Sequence, residues 1–212
     1  MIAAYLDVQD LSELARTTTK MYELIKYPLY RLALSFTPES RSLYFFTAVD
    51  AGLMSAVRIF LDVGASVNEK DRMGMTLLHH CVMTGNEAMA RLLIDKGADV
   101  SAFGAGGTTP LHYAIGFGRY SLIRCLLKGG ASISAIDIWG KTPLHMAAAT
   151  GPREYVKLLL DAGADRYVTD YFDQTPLGVA LGNFQWANAQ LLINWGVDRA
   201  SAQLLTNWVV DK

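Results

Sequence analysis

The feature that most constrains this chain is a glycine that recurs every 33 residues. It is the first residue of the dipeptides Gly64-Ala65, Gly97-Ala98, Gly130-Ala131, Gly163-Ala164 and Gly196-Val197. Two further markers keep the same phase. A Thr-Leu-Leu-His, Thr-Pro-Leu-His or Thr-Pro-Leu-Gly tetrapeptide begins at Thr76, Thr109, Thr142 and Thr175, and a turn glycine stands at Gly52, Gly85, Gly118 and Gly151, with Phe184 in the last copy. A fixed period of this length predicts one structural unit stacked several times.

The local chemistry of one unit predicts two helices. Thr142 is a favourable N-cap and the proline after it a favourable first residue, so a helix is expected over about 143–150. Gly151 is expected to end this helix in the left-handed conformation. Apolar residues on one face predict a second helix over about 153–161, which Gly163 is expected to end. One helix pair cannot bury its apolar face alone, so neighbouring pairs must stack.

The hexapeptide Thr-Pro-Leu-His-Tyr-Ala that begins at Thr109, and its counterpart at Thr142, resemble the signature of the ankyrin repeat. The resemblance covers residues 38–202 and implies an all-α solenoid of helix-turn-helix units joined by β-turn fingers. Five repeats are expected, at about 38–70, 71–103, 104–136, 137–169 and 170–202. Residues 203–212 are expected to form a C-terminal cap, and the alternative is that they open a further repeat of a longer array.

Residues 1–37 carry none of these markers and are expected to form a short helical segment. The segment resembles the C-terminal two-thirds of an F-box, and an F-box ahead of ankyrin repeats is typical of filamentous fungi. The opening Leu-Pro-x-Glu of the F-box has no counterpart in this chain. The resemblance implies that residues 1–34 bind the adaptor subunit of an SCF-type ubiquitin ligase. The implied adaptor contacts are Leu6, Leu11, Leu14, Tyr22, Leu24, Pro28, Leu29 and Tyr30. The alternative is that this segment only caps the first repeat.

The charge and composition of the chain argue against several classes of partner. The formal net charge is −1 and the Lys and Arg residues are scattered, so we expect no binding to nucleic acid or to a membrane surface. No apolar run approaches the 18 residues of a transmembrane helix, and no secretory signal precedes the first acidic residues. Cys81 and Cys125 occupy core positions of the repeat and are expected to be buried free thiols. An intracellular protein, in the cytoplasm or the nucleus, is therefore expected.

The residues with chemical potential follow the repeat rather than a catalytic pattern. His79, His112 and His145 recur in successive repeats, roughly 10 Å apart, which is too far for one shared metal ion. The ankyrin resemblance implies that they form hydrogen bonds to the neighbouring repeat. His80 has no Cys or acidic partner at ligand spacing, and the glycine-rich stretch at 103–107 lacks the Lys-Ser/Thr of a phosphate-binding loop. No catalytic, metal or cofactor site is expected.

The remaining candidate site is a surface. In the ankyrin family the fingers and the adjoining ends of the first helices, on the concave side, usually bind the partner. Met and aromatic side chains are enriched at protein interfaces, so we expect an apolar contact stripe along this side. Its expected members are Met73, Met75, Met83, Phe117, Trp139, Tyr171 and Phe172. The alternative for each is packing of one finger against the next.

The sequence therefore predicts a monomeric, non-catalytic module for protein–protein interaction. If the F-box resemblance holds, the module is the substrate receptor of an SCF-type ubiquitin ligase. The first alternative is an ankyrin scaffold or adaptor with no link to a ubiquitin ligase. The second is a small-ligand binder or an enzyme that uses the concave groove.

Overall fold

The computed structural model describes residues 38–195, in which ten α-helices and no β-strand occur. The helices are α1 Pro38–Asp50, α2 Met54–Asp62, α3 Leu77–Thr84, α4 Glu87–Asp95, α5 Pro110–Gly116, α6 Tyr120–Lys128, α7 Pro143–Thr150, α8 Arg153–Asp161, α9 Pro176–Gly182 and α10 Trp186–Asn194. The predicted F-box-like segment and the predicted C-terminal cap lie outside the described residues. Among the helices of residues 38–195, none combines the length and the hydropathy that crossing a bilayer requires.

The helices form consecutive pairs that stack within two units of the chain. The first unit extends to Ala131 and contains α1 to α6, and the second begins at Ser132 and contains α7 to α10. In the first unit α3 contacts both α1 and α5, and α4 contacts α6. In the second unit α7 contacts α9, and α8 contacts α10. Each pair thus covers the apolar face of its neighbour, which is how repeat arrays build a core.

The helix pair α7 and α8 has the bounds that the sequence predicts. Thr142 is extended, with φ −82° and ψ 165°, and its hydroxyl accepts the backbone N–H of His145 at 3.4 Å. Thr175 does the same for Gly178 at 3.2 Å, and a proline follows each threonine at the first helical position. The small inner residues Leu144, Ala147 and Ala148 are fully buried. The N-cap and the proline therefore set where each helix begins, and the small residues let the next pair approach closely.

Tight loops, which we call fingers, precede the first helix of each pair after α1. They comprise residues 71–75, 104–108, 137–141 and 170–174, and each contains the i to i+3 hydrogen bond of a β-turn. In three of them an aspartate stabilises the turn through its own side chain. Oδ1 of Asp71 accepts the N–H groups of Met73 and Met75, both at 2.8 Å, and Asp137 and Asp170 form the equivalent bonds.

One glycine does not adopt the backbone that the sequence predicts. Gly52, Gly85 and Gly118 have φ between 68° and 75°, but Gly151 has φ −78° and ψ 153°. The prediction of a left-handed Gly151 is wrong. Pro152 follows this glycine, and a proline disfavours helical backbone angles in the preceding residue and favours extended ones. A glycine is still required there, since a Cβ at Gly151 would lie 2.8 Å from the carbonyl oxygen of Ala147. Gly163, in contrast, has φ 93° and ends α8 as predicted.

A buried asparagine holds the end of α7. Asn188 of α10 is buried, and its Nδ2 donates to the carbonyl oxygens of Gly151 at 2.9 Å and Ala147 at 3.3 Å. The carbonyl oxygen of Ala147 also accepts the N–H of Gly151 at 2.9 Å, so Asn188 adds a second donor at the end of α7. Tyr155, one repeat earlier, occupies the equivalent position, so the sequence period gave no sign of this contact.

Phe184 adopts a conformation that favours glycine. Its φ is 58°, and the residues at the same repeat position in the first unit are the left-handed Gly52, Gly85 and Gly118. The left-handed conformation costs a residue with a Cβ about 1–2 kcal/mol. The Phe184 side chain is 74% exposed, and its ring packs only against Trp186 among the ring contacts of residues 38–195, with centroids 6.3 Å apart. Burial of the Phe184 side chain therefore offsets little of this strain.

We expect Phe184→Gly to raise the free energy of unfolding by about 0.5–1 kcal/mol, because relief of the strain exceeds the entropy cost of a new glycine. Chemical denaturation of the full chain measures this change. Phe184→Ala is the matched control, because it removes the ring and keeps the strained backbone, and we expect no gain in stability from it. A Phe184→Gly protein that is less stable than the natural chain would contradict the prediction.

Candidate functional site

Three buried histidines, one in the first turn of each of three helices, form hydrogen bonds to the N-cap threonine of the same helix, and two of them also contact the next finger. Nε2 of His79 lies 3.2 Å from the carbonyl oxygen of Thr108 in the following finger, and Nε2 of His145 lies 3.0 Å from that of Gln174. Nδ1 of each accepts the backbone N–H of its N-cap threonine, at 3.1 Å for His79 and 3.2 Å for His145. His112 accepts the N–H of Thr109 in the same way. For His79 and His145, the contact to the neighbouring repeat that the ankyrin resemblance implies is confirmed.

These contacts fix the protonation of the ring. Because Nδ1 accepts an N–H, the proton of the neutral imidazole is on Nε2, which donates to the carbonyl of the next finger. Burial lowers the pKa of His79 from 6.5 to about 4, and the hydrogen bond to Thr108 offsets this only in part. Burial likewise lowers the pKa of His145. Burial thus favours the neutral form of His79 and His145, which are structural groups, and the surface is left as the candidate site.

The two fingers of the second unit carry three exposed aromatic side chains. Trp139 is 51% exposed, Tyr171 68% and Phe172 65%, and Ile138 beside them is exposed as well. The N–H of Tyr171 donates to the carbonyl oxygen of Trp139 at 3.0 Å, so the two fingers are joined through their backbones. The Tyr171 ring lies over Gly140, where an added Cβ would come within 2.6 Å of it. We call Trp139, Tyr171 and Phe172 the aromatic finger patch.

In the first unit the predicted contact residues divide into exposed and buried ones. Met73, Met83 and Phe117 are exposed, and the Phe117 ring stacks on Tyr113 with centroids 6.0 Å apart. Met75 is only 4% exposed. Its prediction as a partner contact is wrong, because the finger turns it inwards, where its Sδ lies 2.9 Å from the position a Cβ would take on Gly104. The predicted adaptor contacts from Leu6 to Tyr30 lie outside the described residues.

The first unit also contains a groove that the sequence did not reveal. A cavity of about 950 Å³ lies between α1, the finger of residues 71–75 and α3. Its lining residues are Ser42, Leu43, Phe46, Thr47, Asp50, Lys70, Asp71, Arg72, Met73 and His80. We call this cavity the α1 groove. Of the predicted contact residues, it includes Met73.

A cluster of one histidine and two aspartates lies in the α1 groove. Nδ1 of His80 is 2.9 Å from Oδ1 of Asp50, and Nε2 is 3.1 Å from Oδ2 of Asp71. No acidic partner of His80 is expected from the sequence, because Asp50 precedes it by 30 residues and belongs to the previous repeat. One signal in the sequence could have pointed to this cluster. The histidine at position 80 is not part of the repeat pattern, because the equivalent positions of the later repeats are Tyr113, Met146 and Val179.

No group of three or more His, Cys, Asp or Glu side chains within residues 38–195 is arranged to hold a metal ion. Cys81 and Cys125 are buried free thiols, as predicted. Burial raises the pKa of both thiols, which disfavours the reactive thiolate form.

Comparison with known proteins agrees with the helix pairs and their period. The family model for ankyrin repeats, in three copies, matches residues 45–137 and again residues 118–201. A search of curated proteins gave no match. Ankyrin repeats generally mediate the binding of protein partners and are generally non-catalytic. The matches cover most of the 212 residues, and the helix pairs, the fingers and the buried histidines all follow their period. The chain belongs to the ankyrin repeat family.

Proposed function

We propose that this protein binds a protein partner through the aromatic finger patch of its second unit. The observation that carries the proposal is the exposure of Trp139, Tyr171 and Phe172 on two fingers that are joined by a backbone hydrogen bond. Large apolar side chains that remain exposed together mark interaction surfaces more often than isolated ones do.

The conformation of the fingers supports this role. Aspartates close both turns, since Oδ1 of Asp137 accepts the N–H of Trp139 at 2.9 Å and Oδ1 of Asp170 accepts the N–H of Phe172, also at 2.9 Å. The aromatic residues therefore stand on turns that are ordered before a partner arrives. A pre-ordered surface loses little conformational entropy on binding, and Trp and Tyr are the residues that most often dominate interface energies.

We expect the double substitution Trp139→Ala and Tyr171→Ala to weaken binding of the native partner by about 2 kcal/mol or more, which is roughly 30-fold in Kd. The partner is first identified by affinity capture with the full chain and mass spectrometry. Its affinity for the natural and substituted proteins is then measured by titration calorimetry. We expect the thermal melting temperature to change little, because both side chains are exposed.

Trp186→Ala is the matched control, because Trp186 is also an exposed tryptophan of the same unit but lies on α10 rather than on a finger. We expect this variant to bind the partner as the natural chain does. Equal affinities of the natural protein and the double variant would show that the partner contacts another surface.

We further propose that the protein is the substrate receptor of an SCF-type ubiquitin ligase. The support is the F-box-like pattern of residues 1–34, with Leu11, Tyr22 and Pro28 among its matching residues. In this proposal the N-terminal segment binds the ligase adaptor inside the cell, and the fingers hold the protein to be ubiquitinated.

A deletion separates this proposal from a plain scaffold. The full chain should co-purify with the ligase adaptor, and a chain without residues 1–34 should lose the adaptor but still bind the finger partner. If adaptor is absent from the full-chain sample while the finger partner is present, the protein is an ankyrin scaffold without this link.

A further inference from the structure

The finger of residues 170–174 departs from the other three fingers at one position. Its fourth residue is Asp173, where the earlier fingers carry Gly74, Gly107 and Gly140. All four residues are left-handed, with φ 56° at Asp173 and between 69° and 76° at the glycines. A residue with a Cβ is strained in this conformation, which a glycine adopts freely. The finger therefore carries an exposed carboxylate that its own turn does not require.

Two aspartates of this finger have carboxylate oxygens without a donor. The side chain of Asp173 takes part in no hydrogen bond or ion pair among the described residues. Oδ1 of Asp170 accepts two N–H groups of the turn, but its Oδ2 is buried and has no hydrogen-bond partner in the same part of the chain. In the first unit, Nε2 of His80 lies 3.1 Å from the equivalent oxygen of Asp71, whereas Val179 replaces that histidine here. The finger thus carries two carboxylates that form no ion pair with the described residues.

The described part of the second unit is acidic as a whole. Residues 132–195 contain six Asp and Glu side chains and four Lys and Arg side chains. One of these cations, Arg166, already has partners, because its guanidinium lies 4.8 Å from the centroid of the Tyr167 ring and donates to the carbonyl oxygen of Leu192 at 3.0 Å. Complementary charge favours association, so a basic surface suits this unit better than an acidic one.

The aromatic rings beside these carboxylates are open to a cation. Trp139 and Phe172 are exposed, and neither takes part in a ring contact or a cation–π contact among residues 38–195. The face of an aromatic ring attracts a cation, most strongly for tryptophan. A purely apolar partner would instead cover the Asp173 carboxylate without supplying a donor, which costs free energy. The rings and the carboxylates therefore favour the same kind of contact.

We propose that the aromatic finger patch recognises a Lys or Arg side chain of its protein partner. The inference rests on the proposed function, because it names the chemistry that binds at the same surface. The cation packs on the ring of Trp139 or Tyr171, and the exposed carboxylate of Asp173 balances its charge. The buried carboxylate of Asp170 adds to the attraction without direct contact.

The finger of residues 71–75 lacks this combination of groups. Arg72 and Met73 stand at the positions that Tyr171 and Phe172 occupy in the later finger. Arg72 is exposed, so it would repel a second cation. Recognition of a basic side chain is therefore expected at the second unit and not at this finger of the first.

Two synthetic peptides test the proposal on the natural full-length chain. The probe is a short peptide of alternating glycine and arginine, and its control carries citrulline, the neutral analogue of arginine, at every arginine position. Binding is followed by NMR through the indole N–H signals of the tryptophans. We expect the arginine peptide to shift the Trp139 signal and not the Trp186 signal, and the citrulline peptide to shift neither. An unchanged Trp139 signal, or equal shifts with both peptides, would overturn the proposal.

Two charge variants locate the contact. Asp173→Asn removes the carboxylate, and asparagine also tolerates the left-handed backbone. We expect this variant to bind the arginine peptide about fivefold more weakly, which is the upper range for an exposed ion pair. Asp161→Asn is the matched control, because Asp161 is an exposed aspartate of the same unit at the end of α8, and we expect it to bind as the natural chain does. An Asp173→Asn protein with the affinity of the natural chain would also contradict the proposal.

The captured partner separates this inference from the proposed function. We expect its affinity to fall both with the double substitution of Trp139 and Tyr171 and with Asp173→Asn. If only the double substitution weakens binding, the patch binds its partner through apolar contacts and the basic side chain is excluded. If neither change weakens binding, the partner contacts another surface and the proposed function fails as well.

Discussion

Acidification from about pH 6.5 to about pH 4 is expected to lower the free energy of unfolding by about 3 kcal/mol through His79 alone. The pKa of this residue is lowered from 6.5 to about 4 in the folded protein, because the ring is buried. The unfolded chain therefore takes up the proton first as the pH falls. The stability that the neutral ring contributes is complete above about pH 6.5 and is lost as the pH approaches about 4.

The structural reason is the acceptor role of Nδ1. Protonation of Nδ1 would turn it into a donor that faces the N–H of Thr76, 3.1 Å away, so this N–H would lose its acceptor and the ring would have to donate to the Thr76 hydroxyl, 2.9 Å from Nδ1. The bond from Nε2 to Thr108 would remain, so the cap of α3 is the part that fails first. His145 has the same contacts and a pKa lowered in the same direction, so the second unit should lose stability over a related range.

Denaturant titrations at a series of pH values test this expectation, with His79→Gln as the matched control. Gln at this position can form the same capping box with Thr76, but it does not titrate. The natural chain should lose about 3 kcal/mol more than the variant over the same pH range. Equal pH slopes of the two proteins would show that His79 is not held neutral by the fold.

The two adjacent histidines of α3 lie in different surroundings. His79 lies between a backbone donor and a carbonyl, an environment that suits the neutral ring. His80 lies between two carboxylates, those of Asp50 and Asp71. The difference follows from the face of the helix on which each residue lies, since His79 is fully buried and His80 reaches the α1 groove.

Local chemistry explains why much of the fold could be predicted from the sequence. The bounds of α7 and α8 follow from Thr142, from the proline after it and from the two glycines that end the helices, all within one repeat. The prediction for Gly151 was wrong, but the sequence did contain a local signal for its true conformation, namely the proline that follows it. Interactions within a few residues of the chain were therefore accessible to sequence reasoning.

The candidate site was harder to predict, because it depends on which way a side chain turns within a finger. Met73 and Met75 are two residues apart and equally apolar, yet one is exposed and the other is buried beside Gly104. The bridge from His80 to Asp50 crosses from one repeat to another over 30 residues. Such contacts are set by the stacking of the helix pairs, and the period of a single sequence does not encode them.

Gly140→Ala is expected to be the most destabilising of the alanine substitutions at left-handed glycines in the second unit. Gly140 has φ 75°, and an added Cβ would lie 2.6 Å from Cδ1 of Tyr171 and 2.9 Å from its backbone nitrogen. The Tyr171 ring is exposed and can turn away, but its backbone nitrogen is fixed by the hydrogen bond to Trp139 at 3.0 Å. Strain of the backbone and overpacking should together cost about 3 kcal/mol.

Gly163→Ala is the control that isolates the backbone contribution, because Gly163 has φ 93° but only the Cδ1 atom of Ile133, at 4.0 Å, near its added Cβ. We expect this variant to lose about 1 kcal/mol. The difference between the two variants, measured by denaturant titration, reports the packing of one finger on the next. Gly140→Ala should also weaken partner binding, since Tyr171 belongs to the aromatic finger patch, whereas Gly163→Ala should not. Equal losses of stability would mean that the fingers do not pack at Gly140, and the shared patch would lose its structural basis.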